Sequence, residues 1–183
     1  GGPLKYSMEG HQFGIFCIKL TSDNRYIVSV SNKFITFDVV TSDLARSVYP
    51  AMEGLMVGLE LSEDNKFAAA YTNNNQTILL NTLVSEFVII DSPLETNETV
   101  QGIFILDTVL LIYGQTTWSF FDMAGKEIEK RKTFRENPIL TITMESKDDL
   151  SIIHWSGDMA NPGMVCFIYF FFDSLFSAKV FTK

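Results

Sequence analysis

Short apolar runs alternate with polar turns along most of this chain, and the pattern predicts β-strands. The stretch GHQFGIFCIKLTSDNRYIVSVSNKFITFD, residues 10–38, contains three such runs separated by polar turns. Within IFCIKL, residues 15–20, odd and even positions fall on opposite faces, as in a strand. Continuous apolar runs such as FAAAY (67–71) and VLLIY (109–113) predict strands that are covered on both faces.

The same pattern recurs about every 41 residues. LTSDNRYIVSVS (20–31) aligns without a gap on LSEDNKFAAAYT (61–72), at an offset of 41 residues. A third copy is GIFILDTVLLIYGQTTWSFFD (102–122), and a fourth, ILTITMESKDDLSIIHWSGD (139–158), is recognisable at its start. Each copy is interpreted as a four-stranded antiparallel meander, so the chain is a repeat protein.

A single meander of this kind has two open edges and an incompletely covered apolar face, so it cannot be stable alone. Units of roughly 40 to 45 residues that stack such sheets around an axis are typical of a β-propeller. We therefore expect an all-β chain, a partial propeller of about four blades. The expected blades cover approximately residues 8–48, 49–91, 92–133 and 134–173.

Polar residues recur at fixed places in the repeat. Asp-Asn pairs occupy the turn between the first two strands, because both residue types tolerate left-handed backbone and form local hydrogen bonds. A polar residue also ends the third strand of the first three units, and a Gly-His pair precedes the first unit. The candidate structural positions are Gly10, His11, Asp23, Asp38, Asp64, Asn81 and Asp122. A carboxylate pair for acid–base chemistry at Glu63 and Asp64 is the alternative interpretation of that turn.

The first unit resembles a WD40 repeat: Gly-His, a strand, Ser-Asp-Asn, a strand and a terminal Phe-Asp follow one another in the order of that family. The resemblance implies a buried hydrogen-bond network of the His, a strand hydroxyl, a turn Asp and a Trp. His11 with Ser29 or Ser31 matches part of this network. Phe37 replaces the Trp and the turn after Ser31 lacks the Asp, so we expect apolar packing to replace the complete network.

The amino-acid sequence of the first two units is similar to the WD-repeat region of the NACHT and WD repeat domain-containing proteins. That resemblance implies the sensing or interaction part of a signal-transduction ATPase. No GxxxxGK[ST] loop occurs in the sequence, so no ATP-site residue can be assigned to it. Propellers of this family usually close with about seven blades, so we expect the remaining blades in a longer parent chain.

The composition of the chain limits the classes of binding partner that we expect. The chain has 183 residues and a formal net charge of −8, and its densest basic group, KEIEKRK (126–132), is interrupted by two glutamates. Nucleic acid is therefore disfavoured as a partner, because its affinity comes from clustered Lys and Arg. Cys17 and Cys166 form no CxxC spacing, which favours a reducing, cytoplasmic setting. The chain begins Gly-Gly without an initiator Met, so a fragment or processed form of a longer protein is expected.

The stretch GMVCFIYFFFDSLFSAKVFTK, residues 163–183, departs from the repeat. It contains nine consecutive apolar residues before Asp173. A membrane helix needs about 20 mostly apolar residues, so a membrane role is disfavoured relative to a buried final pair of strands. The segment 170–173 could also close the fourth blade, and an aberrant or alternative end of the chain is a third interpretation.

Motifs for catalysis or metal binding are absent from the sequence. His11 and His154 are its two histidines, and no GxSxG, HExxH or CxxC occurs. We therefore expect a non-catalytic scaffold that binds proteins or peptides, with no cofactor and no metal. The loops TNNNQT (72–77) and SPLETNET (92–99) are generic candidates for its contact surface. A propeller-type hydrolase, with acidic and histidine side chains meeting at a channel mouth, and a membrane-associated module are the alternatives.

Overall fold

The computed structural model describes residues 9–91, 93–106, 108–132, 141–147, 150–156, 164–171 and 177–182. Within these ranges the chain forms four sheets, each of four antiparallel strands in sequence order, and none of the described residues is helical. The all-β meander architecture predicted from the repeat is confirmed. No helix in the described ranges is long and apolar enough to cross a membrane.

The strands of the first two sheets follow the predicted repeat closely. The first sheet contains β1 (Cys17–Leu20), β2 (Tyr26–Val30), β3 (Phe34–Asp38) and β4 (Leu44–Val48). The second contains β5 (Met56–Leu61), β6 (Phe67–Thr72), β7 (Gln76–Asn81) and β8 (Glu86–Asp91). β1 and β5 pack against each other, and β5 packs in turn against the first strand of the third sheet, so the first strands of these three sheets are neighbours on the inner side.

The third and fourth sheets repeat this order. The third contains β9 (Gly102–Leu106), β10 (Val109–Tyr113), β11 (Thr117–Asp122) and β12 (Glu127–Lys132). The fourth contains β13 (Thr141–Lys147), β14 (Leu150–Ser156), β15 (Met164–Phe171) and β16 (Ser177–Thr182). The apolar stretch near the end of the sequence thus supplies β15 and β16, which pair antiparallel with each other, and the sheet continues past residue 173.

Strand register places the repeat positions at the same point in each of the first three sheets. The residue that ends the third strand lies opposite the first residue of the second strand in every case. The pairs are Asp38 with Tyr26, Asn81 with Phe67, and Asp122 with Val109. Residues about 41 to 43 positions apart in the sequence therefore occupy equivalent positions in space.

Two apolar cores hold the first three sheets together. The core between the first and second sheets contains Val28, Val30, Phe34, Val48, Met56, Leu59, Ala68, Ala70, Ile78 and Leu80. The core between the second and third contains Ala69, Leu79, Ile90, Leu94, Val100, Ile103, Ile105, Leu110, Ile112 and Phe121. Full burial of one Ile, Leu or Phe side chain stabilises the fold by about 1.5–3 kcal/mol, so these cores dominate the stability.

Alternation along β6 explains how one strand serves both cores. Ala68 and Ala70 face the first sheet, whereas Ala69 faces the third, and all three are fully buried. A side chain larger than methyl at these positions would push neighbouring sheets apart, because interiors are close-packed. The run of three alanines therefore sets a close approach of the second sheet to both neighbours.

Glycines in the innermost strands of the second and third sheets each lie under a tyrosine ring. Gly58 lies opposite Tyr71, and Gly102 lies opposite Tyr113. A Cβ at Gly58 would come within 2.0 Å of the Tyr71 ring, and one at Gly102 within 2.4 Å of Tyr113 Oη. Glycine is required here because the ring occupies the space of a side chain.

Candidate functional site

The turn between β1 and β2 is held by the carboxylate of Asp23. Thr21 donates its hydroxyl to Asp23 Oδ1 at 2.5 Å, and the Arg25 amide donates to the same oxygen at 3.0 Å. Asn24 follows with a φ of 59°, in the left-handed region that Asn tolerates. These hydrogen bonds hold the pKa of Asp23 below its usual value, and the one from the Thr21 hydroxyl has the largest effect.

The turn between β5 and β6 has the same construction 41 residues later. Ser62 donates its hydroxyl to Asp64 Oδ1 at 2.8 Å, the Lys66 amide donates to it at 3.0 Å, and Asn65 has a φ of 59°. The Lys66 ammonium, 2.9 Å from Asp64 Oδ2, is the main cause that lowers the pKa of Asp64 to about 2. Asp64 is thus an ionised turn residue rather than a proton donor at neutral pH.

These two turns contact each other across the junction of the first and second sheets. The Ser22 amide donates to Asn65 Oδ1 at 3.0 Å, and Asn65 Nδ2 donates to Ser22 Oγ at 2.6 Å. Ser22 Oγ also donates to the Glu63 carbonyl at 2.8 Å. Side chains of one repeat therefore fasten the equivalent turn of the previous repeat.

Asp38, Asn81 and Asp122 cap the turn that leads into the fourth strand of their sheets. Asp38 Oδ1 accepts from the amides of residues 40 and 41 at 2.8 and 3.1 Å. Asn81 Oδ1 accepts from the amide of residue 83 at 3.0 Å, and Asp122 Oδ1 accepts from those of residues 124 and 126 at 3.0 and 2.9 Å. These polar repeat positions thus stabilise turns.

In the first sheet a histidine ties the incoming segment to the second strand. His11 Nε2 lies 2.8 Å from Ser29 Oγ, whereas His11 Nδ1 is buried without a hydrogen-bond partner among the described residues. Burial and the nearby Lys33 lower the pKa of His11, so its imidazole is neutral at pH 7. Gly10 lies against Ile35 and Phe37, where a Cβ would come within 2.8 Å of Ile35 Cδ1.

We call such a link between an incoming segment and its sheet a tie. In the second sheet the tie consists of hydrogen bonds from backbone amides to side-chain amide oxygens. The Leu55 amide donates to Asn73 Oδ1 at 3.0 Å, and the Glu53 amide donates to Gln76 Oε1 at 2.9 Å. Asn73 lies in the turn between β6 and β7, and Gln76 is the first residue of β7. The loop TNNNQT, a generic candidate for a contact surface, is therefore committed in part to internal structure.

In the third sheet the tie is a carboxylate. Glu98 accepts from the Thr116 and Thr117 amides at 3.1–3.2 Å and from the hydroxyls of both threonines. Burial raises the pKa of Glu98, but the hydrogen bonds from the two threonines outweigh it and leave that pKa below its usual value. Asn75 clamps the same loop, donating to the Glu98 carbonyl at 2.7 Å and accepting from the Val100 amide at 2.9 Å.

A groove of about 430 Å³ opens beside the two Asp-Asn turns, at the junction of the first and second sheets. Residues from both sheets line it: Thr21, Asp23, Tyr26, Val28, Thr36, Ala45, Arg46, Leu61, Asp64, Asn65, Thr82 and Leu83. We call this the inter-sheet groove. Its lining combines apolar side chains with charged ones.

The charges and exposed apolar tips around the inter-sheet groove suit a polypeptide ligand. Arg46 makes no ion pair with another described residue, and Asp23 likewise has none. Leu83 and Val84, at the tip of the β7–β8 turn, are mostly exposed, as is Val40 at the equivalent tip of the first sheet. Exposed aliphatic side chains beside an arginine without an ion pair are features of protein-binding surfaces.

A second cavity of about 400 Å³ is formed by the loop 93–98 and Asn75. The loop that forms its walls is the one that the hydrogen bonds of Glu98 and Asn75 hold in place. The cavity is therefore a consequence of that loop conformation. Among the described residues, no group of three or more His, Cys, Asp or Glu side chains could hold a metal ion. His154 falls in β14, and its side chain lies outside the described part of the structure.

Comparison with solved structures identifies the architecture. The chain superposes on the WD40 domain of Toxoplasma gondii coronin with a TM-score of 0.72 and 9% identity, over 96% of this chain and 47% of that one. It has a WD40-type propeller fold. The blades are the four sheets described above, and the fold class predicted from the repeat is confirmed.

Two further solved structures show how widely this blade arrangement occurs. The complex of the fission yeast SREBP–SCAP binding domains matches with a TM-score of 0.74 and 12% identity, over 99% of this chain and 52% of that one. Kuenenia stuttgartiensis hydrazine synthase matches with a TM-score of 0.63 and 10% identity, over 99% and 53%. The chain thus spans about half the length of these structures. No family model and no curated protein matches the sequence.

Sequence reasoning missed the inter-sheet groove and the Glu98 and Asn75 ties. Both depend on side chains that meet across a blade junction, which periodicity within one strand does not reveal. The 41-residue offset could have indicated the groove, because it places the Asp23 and Asp64 turns next to each other. The role of Glu98 could not be predicted from the repeat, since no glutamate makes the equivalent contact in the first two blades.

Proposed function

We propose that this chain is a protein-interaction scaffold, with the inter-sheet groove as its binding surface. The observation that supports it best is the groove itself: an open cavity that carries the Arg46 guanidinium, which makes no ion pair with another described residue, beside the exposed Leu83 side chain. The partner is a protein segment that places an apolar side chain against Leu61 and Leu83 and a charged group near Arg46 or Asp23. Rigid blades that present such a surface need no conformational change to bind.

Paired substitutions test this proposal. Leu83→Asp places a charge at the groove rim, and Ile128→Asp places one at a similarly exposed site on β12 of the third blade. Crosslinking in cells, followed by mass spectrometry, should show a set of proteins lost with Leu83→Asp and retained with Ile128→Asp. Equal loss with both variants, or with neither, would contradict binding at the groove.

We further propose a cytoplasmic setting and membership of a NACHT-type signalling protein, in its sensing or regulatory portion. The sequence resemblance of the first two blades supports this assignment. The absence of a phosphate-binding loop from this sequence means that the nucleotide-binding part would lie elsewhere in the parent chain. Sequencing the complete transcript tests it, since a parent chain without a nucleotide-binding domain would refute it.

The enzyme alternative has one specific support, because hydrazine synthase shares the fold. Against it, His11 is bonded to Ser29 and the Asp64 carboxylate is paired with Lys66. The membrane alternative rests on the segment 164–183, which supplies β15 and β16. Deletion of that segment, followed by vesicle sedimentation, tests it: membrane partitioning that the deletion leaves unchanged would exclude this route.

A further inference from the structure

The inter-sheet groove lies at a place that the next junction fills with an aliphatic side chain. Leu79 on β7 is only 2% exposed, in the core between the second and third sheets. Thr36 has the equivalent position on β3, since each of the two residues lies two positions before the polar residue that ends its strand. Thr36 is only partly buried, and it lines the groove. The smaller threonine thus leaves open the space that a leucine occupies in the next blade.

The neighbouring outer strand differs in the same way. Arg46 lies opposite Thr36 in the pairing of β3 with β4, and Val88 lies opposite Leu79 in the pairing of β7 with β8. Val88 contacts the β11–β12 turn so closely that a Cβ at Gly125 would come within 2.6 Å of its Cγ1. Arg46 instead lines the groove, together with residues of the β7–β8 turn. An apolar contact at one junction is therefore replaced by a cationic wall at the other.

The facing strand of the second sheet is also left partly uncovered. Leu61 lies opposite Ala68, and Ile105 lies opposite Leu110, at the same place in their blades. Ile105 is 6% exposed, whereas Leu61 is partly buried and lines the groove. The resulting cavity of about 430 Å³ is within the range of about 300–1,000 Å³ that is typical of ligand pockets.

The charged side chains of the groove differ in how far they are already paired. Asp64 pairs with Lys66 at 2.9 Å, and Asp23 accepts two hydrogen bonds and has the Arg25 charge nearby. Arg46 makes no ion pair with another described residue. A guanidinium group binds a carboxylate through two parallel hydrogen bonds, so the charge that the groove can best accept is negative.

We infer that the inter-sheet groove binds an acidic and aliphatic segment of a partner protein, an inference that rests on the protein-interaction function proposed above. An aliphatic side chain of this segment lies beside Thr36, in the space that Leu79 fills at the next junction. An aspartate or glutamate next to it pairs with the Arg46 guanidinium. The formal net charge of −8 repels such a segment at long range, so recognition depends on this local pairing and not on electrostatic steering.

Selection of random seven-residue peptides displayed on phage, with the 183-residue chain as target, tests the inference. The chain should enrich peptides that carry Asp or Glu next to Leu, Ile or Val. Nonspecific attraction to a negatively charged chain would enrich Lys and Arg instead, so it cannot produce this result.

Charge reversal tests the role of Arg46 with the recovered peptides. Arg46→Glu should lower their affinity by about tenfold or more, because a charge-assisted pair is replaced by repulsion. Lys126→Glu makes the same change of charge at an exposed site on the third blade and should leave the affinity unchanged. Fluorescence anisotropy with labelled peptides measures both variants.

A double variant tests the open space independently of the charge. Thr36→Leu combined with Arg46→Val gives the first junction the residue types that the second junction has at these positions. It should fill the groove and abolish peptide binding, and thermal unfolding checks that the variant folds. Thr36→Leu alone repeats the test if the double variant does not fold.

The outcomes separate this inference from the proposed function. Peptide binding that Leu83→Asp abolishes but Arg46→Glu leaves unchanged would support the groove as a binding surface and overturn its preference for acidic segments. Recovered peptides rich in Lys and Arg would have the same meaning if Leu83→Asp abolishes their binding. Recovery of no peptide, or only of peptides that Leu83→Asp still binds, would overturn both.

Discussion

Asn65 and Ser22 exchange two hydrogen bonds across the junction of the first two blades, with Asn65 Nδ2 donating to Ser22 Oγ at 2.6 Å and Asn65 Oδ1 accepting from the Ser22 amide at 3.0 Å. The bonds join equivalent turns of consecutive repeats. They leave both turns partly open to solvent, beside the inter-sheet groove. The junction is thus fastened by polar contacts at its rim and by apolar packing inside.

Replacing Asn65 by Ala should destabilise the chain more than replacing Asn24 by Ala. Both substitutions place Ala at a φ of 59°, so the backbone strain of the two variants is matched. Asn65→Ala additionally removes the two bonds to Ser22, which should cost about 1–2 kcal/mol. Urea denaturation of the two variants measures the difference, and equal free energies of unfolding would mean that the bonds contribute nothing.

Gly58→Ala should be strongly destabilising, by about 1–3 kcal/mol or more, because its methyl group would overlap the Tyr71 ring. Gly14→Ala is the matched control, since a Cβ at Gly14 meets no atom within 4 Å. Thermal unfolding of both variants gives the comparison. A Gly58→Ala chain as stable as Gly14→Ala would show that the tyrosine moves aside without cost.

Glu98→Ala should loosen the turn at Thr116 and Thr117 and reduce stability by about 2 kcal/mol, because several hydrogen bonds to one carboxylate are lost. Glu95→Ala, which removes only a solvent-exposed contact 3.8 Å from Lys132, should change stability little. Chemical denaturation compares the two variants.

The same carboxylate gives a pH signature. The pKa of Glu98 is lower in the folded chain, so its contribution is complete above its ordinary value of 4.5 and is lost as pH falls through the folded-state pKa. Wild type should therefore lose more stability than Glu98→Ala on acidification below pH 4.5. Parallel pH profiles for the two chains would contradict this assignment.

His11 should make stability depend on pH at a higher range. Its pKa is lowered in the folded chain, so the unfolded chain binds the proton first as pH falls below 6.5. Stability should therefore decrease between pH 7 and the folded-state pKa, and His11→Gln should remove that part of the profile. NMR titration of the His11 ring gives the folded pKa directly, and a value above 6.5 would reverse the expected sign.

The repeat could be predicted from the sequence because the alternation of apolar and polar residues in strands and the Asp-Asn turns are local properties. Residues 20–31 and 61–72 adopt matching strands and turns since the same local hydrogen bonds, such as Thr21 to Asp23 and Ser62 to Asp64, form in both. The resemblance to WD40 repeats correctly indicated the fold. The NACHT assignment, the cytoplasmic setting and the blade boundaries remain predictions.

The inter-sheet groove and the ties could not be predicted in the same way. Glu98 binds residues 18 and 19 positions away, and Asn75 binds residues 23 and 25 positions away, across linkers of unequal length. No period in the sequence encodes such pairs. They follow only from which loops the stacked blades bring together.

The three ties between incoming loop and blade differ in how they respond to protons. The tie of the first blade is an imidazole, that of the second consists of neutral amides, and that of the third is a carboxylate. Mild acid should therefore weaken the tie of the first blade and stronger acid that of the third, whereas the amide tie of the second blade binds no proton in this range. Chemically different groups at one shared position would thus give each incoming loop its own response to acid, while the apolar cores between the blades stay unaffected.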